Sequence, residues 1–375
     1  CNNNGHCRKF DAGTMCPSFR VTRDEQHLTR GRANTLRLAL SGQLGPDAFT
    51  GEAVRDAMEL CVSCKGCRRE CPTGIDMAKM KIEWLAHHKA RHGHTLRDRL
   101  VAKLPDYARL ASRVPWLANL RDALPGAARL TERWLGLSAK RSLPRWRRDT
   151  FWREAPRLRL ATRDEALAAD KAAVLFVDTF SGYFETENAS AAAQVLQAAG
   201  YTVHVATKPG GHYCCGRTHL AAGRVDDARA KARELLDALL PFAEQGIAII
   251  GLEPSCLFTM RDEMLAMGFG EPARTLSEHA LMFEEFLARE VRAGRCAPLL
   301  RPLGQRLLVH CHCHQKAFDA VRPLLDVLAL IPDAKPELIE TSCCGMAGSF
   351  GYEAEHHDIS MRMAEARLLP AIREA

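Results

Sequence analysis

No stretch of eighteen consecutive apolar residues occurs in this 375-residue sequence; the longest apolar runs are short, such as AAVLFV at 172–177 and GIAIIGL at 246–252. A membrane-spanning helix is thereby excluded. Also lacking are a Ser-His-Asp arrangement, a nucleophile elbow, a G-x4-G-K-[ST] phosphate loop and a G-x-G-x-x-G fingerprint. Hydrolase, nucleotide-triphosphatase and Rossmann-type flavin or nicotinamide chemistry therefore have no carrier among these residues. GMAGSFG at 345–351 is rich in glycine, but it follows Cys343-Cys344-Gly345 and reads as a turn rather than a phosphate cradle. An initiator methionine is missing too: the chain opens on Cys1, which leaves room for a targeting peptide or a whole domain upstream.

What is present is 47% hydrophobic and 26% charged, a globular balance with length for two or three domains. Fifteen cysteines, some in short C-x2-C spacings and some adjacent, look like metal ligands rather than a disulfide framework, and so imply a reducing compartment. The net charge of +7 is unevenly spread. Between Lys79 and Arg163 there are 21 Lys plus Arg against 7 Asp plus Glu, with all five tryptophans (Trp84, Trp116, Trp134, Trp146 and Trp152), and Pro105, Pro115, Pro125 and Pro144 break the segment into short amphipathic helices. Basic residues mixed with Trp and Leu suit either a linker wrapped on its neighbours or a face that docks on anionic lipid or an acidic partner.

The region before this segment has few strand signals. After it, apolar runs alternate with helical patterns: strands are predicted at Ala172–Thr179, Tyr201–Ala206, Gly246–Leu252, Arg306–His310 and Glu337–Thr341, with helices near Glu187–Ala199, Arg224–Leu240, Ser277–Val291 and His357–Leu369. The expected class is a multidomain α+β chain. A helical ferredoxin-like domain occupies 1–80, a basic helical segment 81–168, and an α/β cysteine-rich domain 169–375, with a mostly parallel sheet and two pseudo-repeats at about 169–300 and 301–375 marked by CCG at 214 and again at 343.

CVSCKGCRRECP, with Cys61, Cys64, Cys67, Cys71 and Pro72, fits the C-x2-C-x2-C-x3-C-P run of bacterial ferredoxins residue for residue. In that pattern three thiolates hold one cubane, and the fourth, carried away on the following helix, serves a second cluster. A partner motif is present in altered form: Cys1, Cys7 and Cys16-Pro17 match, while Asn4 replaces a cysteine and the last gap is longer. Cross-ligation assigns Cys61, Cys64, Cys67 and Cys16 to a [4Fe-4S] cluster. Cys1, Cys7 and Cys71 remain for a second cluster, either [3Fe-4S] or a [4Fe-4S] whose fourth iron takes Asn4, His6, water or a group from elsewhere. Zinc is the competing reading, although three evenly spaced cysteines followed by Cys-Pro are unlike a zinc ribbon. Were zinc correct, the basic stretch would suggest nucleic-acid binding, but no such motif accompanies it, and no nucleic-acid partner is expected.

Toward the C-terminus, Cys214-Cys215-Gly216, Glu253-Pro254-Ser255-Cys256, HCHCHQKA at 310–317 and Cys343-Cys344-Gly345 all follow predicted strands. Ligands bind at the carboxyl edge of open α/β sheets, so Cys214, Cys215, Cys256, Cys313, Cys343 and Cys344 are expected to converge on one site holding an iron-sulfur cluster or zinc. The alternative is a set of buried, inert thiols. His310, His312 and His314 alternate, so only some can join them. Cys296 reads as structural, and Cys311 is open.

In this order the motifs resemble the iron-sulfur portion of FAD-linked D-2-hydroxy acid dehydrogenases: fused D-lactate or D-2-hydroxyglutarate dehydrogenases, the glycolate oxidase iron-sulfur subunit and the corresponding subunit of anaerobic glycerol-3-phosphate dehydrogenase. The resemblance covers nearly the whole chain. The altered first motif is most like the fused type, in which a flavin-binding module precedes the clusters. Such a family implies that FAD, in an upstream module or partner subunit, takes a hydride from the hydroxy acid, and that electrons pass singly through the clusters to quinone or another acceptor. It further implies an oxidoreductase whose iron-sulfur part is not catalytic alone, in the cytoplasm or peripheral at the inner face of the membrane. Two departures bear on the CCG region: Thr179, Phe180 and Ser181 stand where the full pattern has a cysteine, and neither repeat ends in C-x2-C. Two noncubane clusters are therefore not expected, and a single shared site is. The rival reading, from the same CCG resemblance, is a heterodisulfide-reductase-like thiol-disulfide oxidoreductase.

Overall fold

A computed structural model describes residues 1–11, 13–209, 211–297 and 300–375. The N-terminal region is helical, with helices Thr29–Leu40, Glu52–Glu59 and Met77–His92 enclosing Leu28, Val54, Met58, Met77 and Trp84. Trp84 is buried, and its indole N–H donates to the Phe49 carbonyl at 2.9 Å, which satisfies the one polar atom that its burial would otherwise strand.

The sheet of the C-terminal half is built from β1 (Ala172–Phe176), β2 (Thr202–His204), β5 (Ala248–Gly251) and β6 (Ala280–Met282), all parallel in the order β2-β1-β5-β6. A short antiparallel hairpin, β3 (Thr207–Lys208) with β4 (Gly211–His212), leads to Cys214. A separate parallel pair, β7 (Arg306–Val309) with β8 (Lys335–Leu338), belongs to the second repeat. Alternation along β1 sends Ala173 and Leu175 to one face and Val174 and Phe176 to the other, into two different buried clusters. Both faces are thus covered, as a parallel sheet requires. Burial of each such Leu or Phe contributes about 1.5–3 kcal/mol.

Four of the five predicted strands lie where expected, trimmed at their ends, whereas β8 begins two residues and ends three residues nearer the N-terminus than expected. The single helix expected over Ser277–Val291 is corrected: Glu271–His279 is one helix, β6 follows, and Phe283–Arg292 is another. Ala280-Leu281-Met282 fits a helical stripe as well as a buried strand, and pairing with Ile249, Ile250 and Gly251 of β5 decides the matter.

The basic segment is a chain of short helices wrapped on its neighbours. Arg97 bonds Glu355 at 2.5 Å, Arg141 donates to the Gly351 carbonyl at 2.6 Å and Ser360 Oγ at 3.0 Å, and the Ala102 carbonyl accepts from Thr218 Oγ1 at 2.8 Å. Trp146 and Trp152 pack on Phe184 and His212. Trp116 and Trp134, by contrast, are exposed at 64% and 77%. Among the described residues no helix is long and apolar enough to cross a membrane.

Candidate functional site

Four cysteines from the two N-terminal motifs, Cys16, Cys61, Cys64 and Cys67, all of them buried, line one small cavity. The loop that carries three of them turns through left-handed residues at Ser63 (φ 50°) and Lys65 (φ 59°), which curls the backbone around the cavity before helix Gly66–Glu70 begins. Gly66 sits where a Cβ would come within 3.1 Å of Thr14 and the Met15 nitrogen, so the absent side chain lets the two motifs close on each other. Glu70 completes the closure: its carboxylate accepts from the Thr14 N–H at 2.7 Å and the Met15 N–H at 3.0 Å, and so delivers Cys16 to the cavity.

Polar hydrogens are aimed at the sulfurs. The Met77 N–H lies 3.4 Å from Cys67 Sγ, and Arg32 Nη1 lies 3.2 Å from Cys16 Sγ. Arg32 is fully buried and is held by the Ala57 carbonyl and Ser18 Oγ, both at 2.8 Å. Burial alone would lower its pKa, but the negative potential of Cys61, Cys16 and Cys64 raises it. A guanidinium fixed among cysteine sulfurs favours thiolates there. The sequence reading missed Arg32, because nothing in its position on helix Thr29–Leu40 distinguishes it from a surface arginine.

The remaining N-terminal cysteines lie outside this cavity lining. Cys7 is buried, Cys1 is exposed and Cys71 is half-buried. Burial would raise Cys71, but the Thr73 hydroxyl 3.1 Å away, backbone N–H groups and the chain's amino terminus bring it below its ordinary value. Asn4 is engaged locally: its Oδ1 accepts from the His6 N–H at 2.9 Å and its amide donates to Asn2 at 2.6 Å.

The six C-terminal cysteines fall into two sets. In the first repeat Cys215 interacts electrostatically with both Cys214 and Cys256. In the second, Cys343 interacts with Cys344, and Cys344 with His310, while Cys313 and Lys316 stand close by. His310 Nδ1 is paired with Thr341 Oγ1 at 3.0 Å, and His314 Nε2 reaches the Ser63 carbonyl at 3.1 Å. Cys296 is buried apart from these groups, in the core beside β1, whereas Cys311, also buried, stands near Lys316.

A single tetrahedral zinc with Zn–S of about 2.3 Å requires sulfurs about 3.8 Å apart. Among the described residues the one triad of His, Cys, Asp or Glu ligand atoms within 4.8 Å of each other is Glu353, Glu355 and His356, without any cysteine. The N-terminal sulfurs are therefore spread wider than one zinc needs. Their number, their spacing and the donors aimed at them fit an iron-sulfur cluster.

The second repeat meets the first cavity directly. Cys64 packs with Cys343, Val21, Val62, Phe350 and Met363, with Cys313 against them, and Ser342 Oγ donates to the Thr14 carbonyl at 2.5 Å. The first repeat approaches through charge. Asp262 pairs with Lys65, with Arg68 at 2.6 Å and with Lys79 at 2.6 Å; Glu263 pairs with Lys65 at 2.6 Å and Arg217 at 2.7 Å. Burial would raise Asp262, but Lys65 and Lys79 hold it below the ordinary carboxylate range.

A 4Fe-4S dicluster domain matches residues 1–75, and a cysteine-rich domain matches residues 178–261, which is the first repeat. D-2-hydroxyglutarate dehydrogenase of Escherichia coli (strain K12) is 26% identical over 97% of this chain but only 39% of its own length. One subunit of the anaerobic glycerol-3-phosphate dehydrogenase of the same organism is 26% identical over 65% of the chain and 60% of that protein. The probable glycolate oxidase iron-sulfur subunit of Bacillus subtilis (strain 168) is 22% identical over 94% of the chain and 80% of that protein. The chain spans about two fifths of the length of the D-2-hydroxyglutarate dehydrogenases that it matches. No solved structure matches it. With a dicluster domain in front of a cysteine-rich one, the chain resembles the iron-sulfur part of these dehydrogenases.

Proposed function

We propose that this chain is the electron-transfer module of a flavin-dependent D-2-hydroxy acid dehydrogenase of the D-lactate, glycolate or D-2-hydroxyglutarate class. It receives electrons singly from FAD held in another module or subunit and passes them to a quinone or another acceptor. The observation that carries this reading is the convergence of Cys16, Cys61, Cys64 and Cys67 on one cavity, with an N–H and a buried guanidinium directed at their sulfurs. A cluster bound there supplies a one-electron store. Around it, Arg32 offsets thiolate charge, Glu70 holds the Cys16 segment in place, and the apolar wall of Val62, Met77 and Ala78 keeps water out. Cys1, Cys7 and Cys71 are assigned to the second cluster. The cysteine-rich domain takes a further iron-sulfur cluster at Cys214, Cys215 and Cys256 or at Cys313, Cys343 and Cys344; neither set is drawn in closely enough for a single zinc. The dehydrogenase relatives favour this reading over the thiol-disulfide one.

Low-temperature EPR with iron and zinc analysis on anaerobically purified protein tests the proposal. A reduced [4Fe-4S] signal in the parent chain that is lost in Cys64→Ala and kept in Cys215→Ala is the expected result. Iron-free protein with stoichiometric zinc would overturn it.

Peripheral docking on anionic lipid is part of the same reading. Helix Ala127–Leu135 exposes Arg129, Leu130, Arg133 and Trp134 on one face, and Arg113, Trp116 and Leu117 are exposed nearby in sequence. None of these arginines forms an ion pair among the described residues, which leaves their charge for phosphate headgroups. Flotation with anionic vesicles at low salt should carry the protein upward and fail for Trp116→Ser/Trp134→Ser; flotation that is indifferent to salt and to both changes counts against docking.

A further inference from the structure

One residue of the cysteine loop is neither a ligand candidate nor a surface group. Lys65, between Cys64 and Cys67, lines the cavity, yet its side chain is 0% exposed and its ammonium is spent on Asp262 and Glu263, 197 and 198 positions away in sequence. Asp262 in turn collects Arg68 and Lys79, and Glu263 collects Arg217, so four cations surround two carboxylates. The second oxygen of Glu263 has no hydrogen-bond partner among the described residues. Arg68 also lies over the Phe318 ring at 4.6 Å, and Phe318 stacks on Phe258 at 4.6 Å, so both repeats touch the same junction. An interface needing only adhesion gains little from buried charge, because desolvation cancels most of the attraction. The cost is understandable if the charge acts on something next to it. An electron arriving at a cluster in this cavity adds one negative charge, and buried positive charge close by favours that reduced state.

We propose that Lys65, clamped by Asp262 and Glu263, is a positioning residue that sets the reduction potential of the cluster held by Cys16, Cys61, Cys64 and Cys67. The inference rests on the iron-sulfur reading of that cavity. Its signature is one of sign: removing the cation and removing its counter-charge must move the potential in opposite directions. Loosening of the interface, the merely structural effect, would move both the same way.

The test is an EPR-monitored potentiometric titration of the full chain. Lys65→Met should lower the reduced-to-oxidised ratio at a fixed applied potential at least tenfold, which is 59 mV for a one-electron couple. Asp262→Asn, which keeps the side chain's shape, should raise that ratio at least threefold, and Lys65→Arg should stay within threefold of the parent. Equal iron content in every variant certifies the comparison. Where Lys65→Met fails to retain its cluster, Lys79→Met set against Asp262→Asn carries the same test of sign. Shifts in a common direction, or no shift beyond threefold with iron intact, overturn the proposal. A parent chain without a [4Fe-4S] signal instead overturns the reading beneath it.

Discussion

The two cysteine-rich repeats share a local device and differ in what surrounds it. In each, the glycine of the CCG motif lies in the left-handed region, Gly216 at φ 84° and Gly345 at φ 81°, and its N–H points at the first cysteine sulfur from 3.3 Å. Around the first motif are carboxylates: Asp178 is buried and Glu253 half-buried, and desolvation raises both. Against the interaction with Cys215, burial and these two carboxylates push Cys256 up to about 12. Around the second motif are bases. The interaction with Cys343, and then that with His310, hold Cys344 well below the ordinary thiol range, against burial. The nested sulfurs, Cys214 and Cys343, are raised well above the ordinary thiol in both repeats, so the backbone device is shared, and the repeats differ in the cysteine beside it: Cys256 is raised among carboxylates, and Cys344 is lowered next to Cys343 and His310. The second repeat shares a buried cluster with Cys64, so under the proposed relay it is the better placed to exchange electrons with the N-terminal cavity.

The comparison can be broken most forcefully at the glycines. A Cβ on Gly216 would lie 2.6 Å from the Ala228 carbonyl oxygen and one on Gly345 would lie 2.2 Å from the Ser360 carbonyl oxygen, each at a positive φ. Ala228 belongs to helix Val225–Ala243, whose Ala232, Leu235, Leu236 and Leu239 are wholly buried, so Gly216→Ala has no room to relax and should cost about 3–5 kcal/mol. Ser360 lies on the shorter helix His357–Glu365, of whose side chains Ser360 alone is wholly buried, so Gly345→Ala should cost less despite its closer contact. Urea denaturation of the two variants decides it, and equal losses would dissolve the distinction.

A smaller effect comes from pH. Burial, with Glu253 nearby, raises Asp178 to about 6 from an ordinary value of 3.8. Between those values the unfolded chain releases a proton that the folded chain retains, so this group's contribution to stability falls as pH rises from about 4 to about 6 and is level above. Asp178→Asn retains an acceptor for the Phe180 and Ser181 N–H groups but removes the titration. Its stability relative to the parent should improve by about 2–3 kcal/mol across that window. A difference independent of pH would mean that the first repeat's surroundings are not acidic in the sense argued.

The smallest effect is spectroscopic. Because Cys343 packs against Cys64, Cys343→Ala should alter the EPR line shape of the cavity's cluster, whereas Cys214→Ala should leave it unchanged. Identical spectra for the two variants would remove the asymmetry between the repeats.

These distinctions were unevenly legible in the sequence. The loop from Cys61 to Cys71 announces itself because ferredoxin ligation depends on fixed short spacings, and the drawing in of Cys16 follows from the paired motif. Strands β1 and β5 are readable because buried parallel strands are continuous apolar runs. What spacing does not encode is which sheet edges face each other. The six C-terminal cysteines were expected at one site, and their contacts instead join them three by three within each repeat. Lys65 gives no sign of its role, since its partners Asp262 and Glu263 follow a helix almost two hundred residues away. Likewise, the same basic composition covers Arg121, buried against the Ser138 carbonyl at 2.6 Å, and the exposed Arg129.

The strap of short helices between the domains has a consequence for rates. Arg97 and Arg141 fasten it to the end of the chain, Thr218 fastens the first repeat to it, and Ser342 and Asp262 fasten both repeats to the cysteine loop. A carrier domain that swings between donor and acceptor needs a free tether, and none of these links provides one. Under the proposed function, transfer inside this molecule is a matter of fixed gaps, insensitive to solvent viscosity, and any waiting step belongs to the exchange with donor and acceptor.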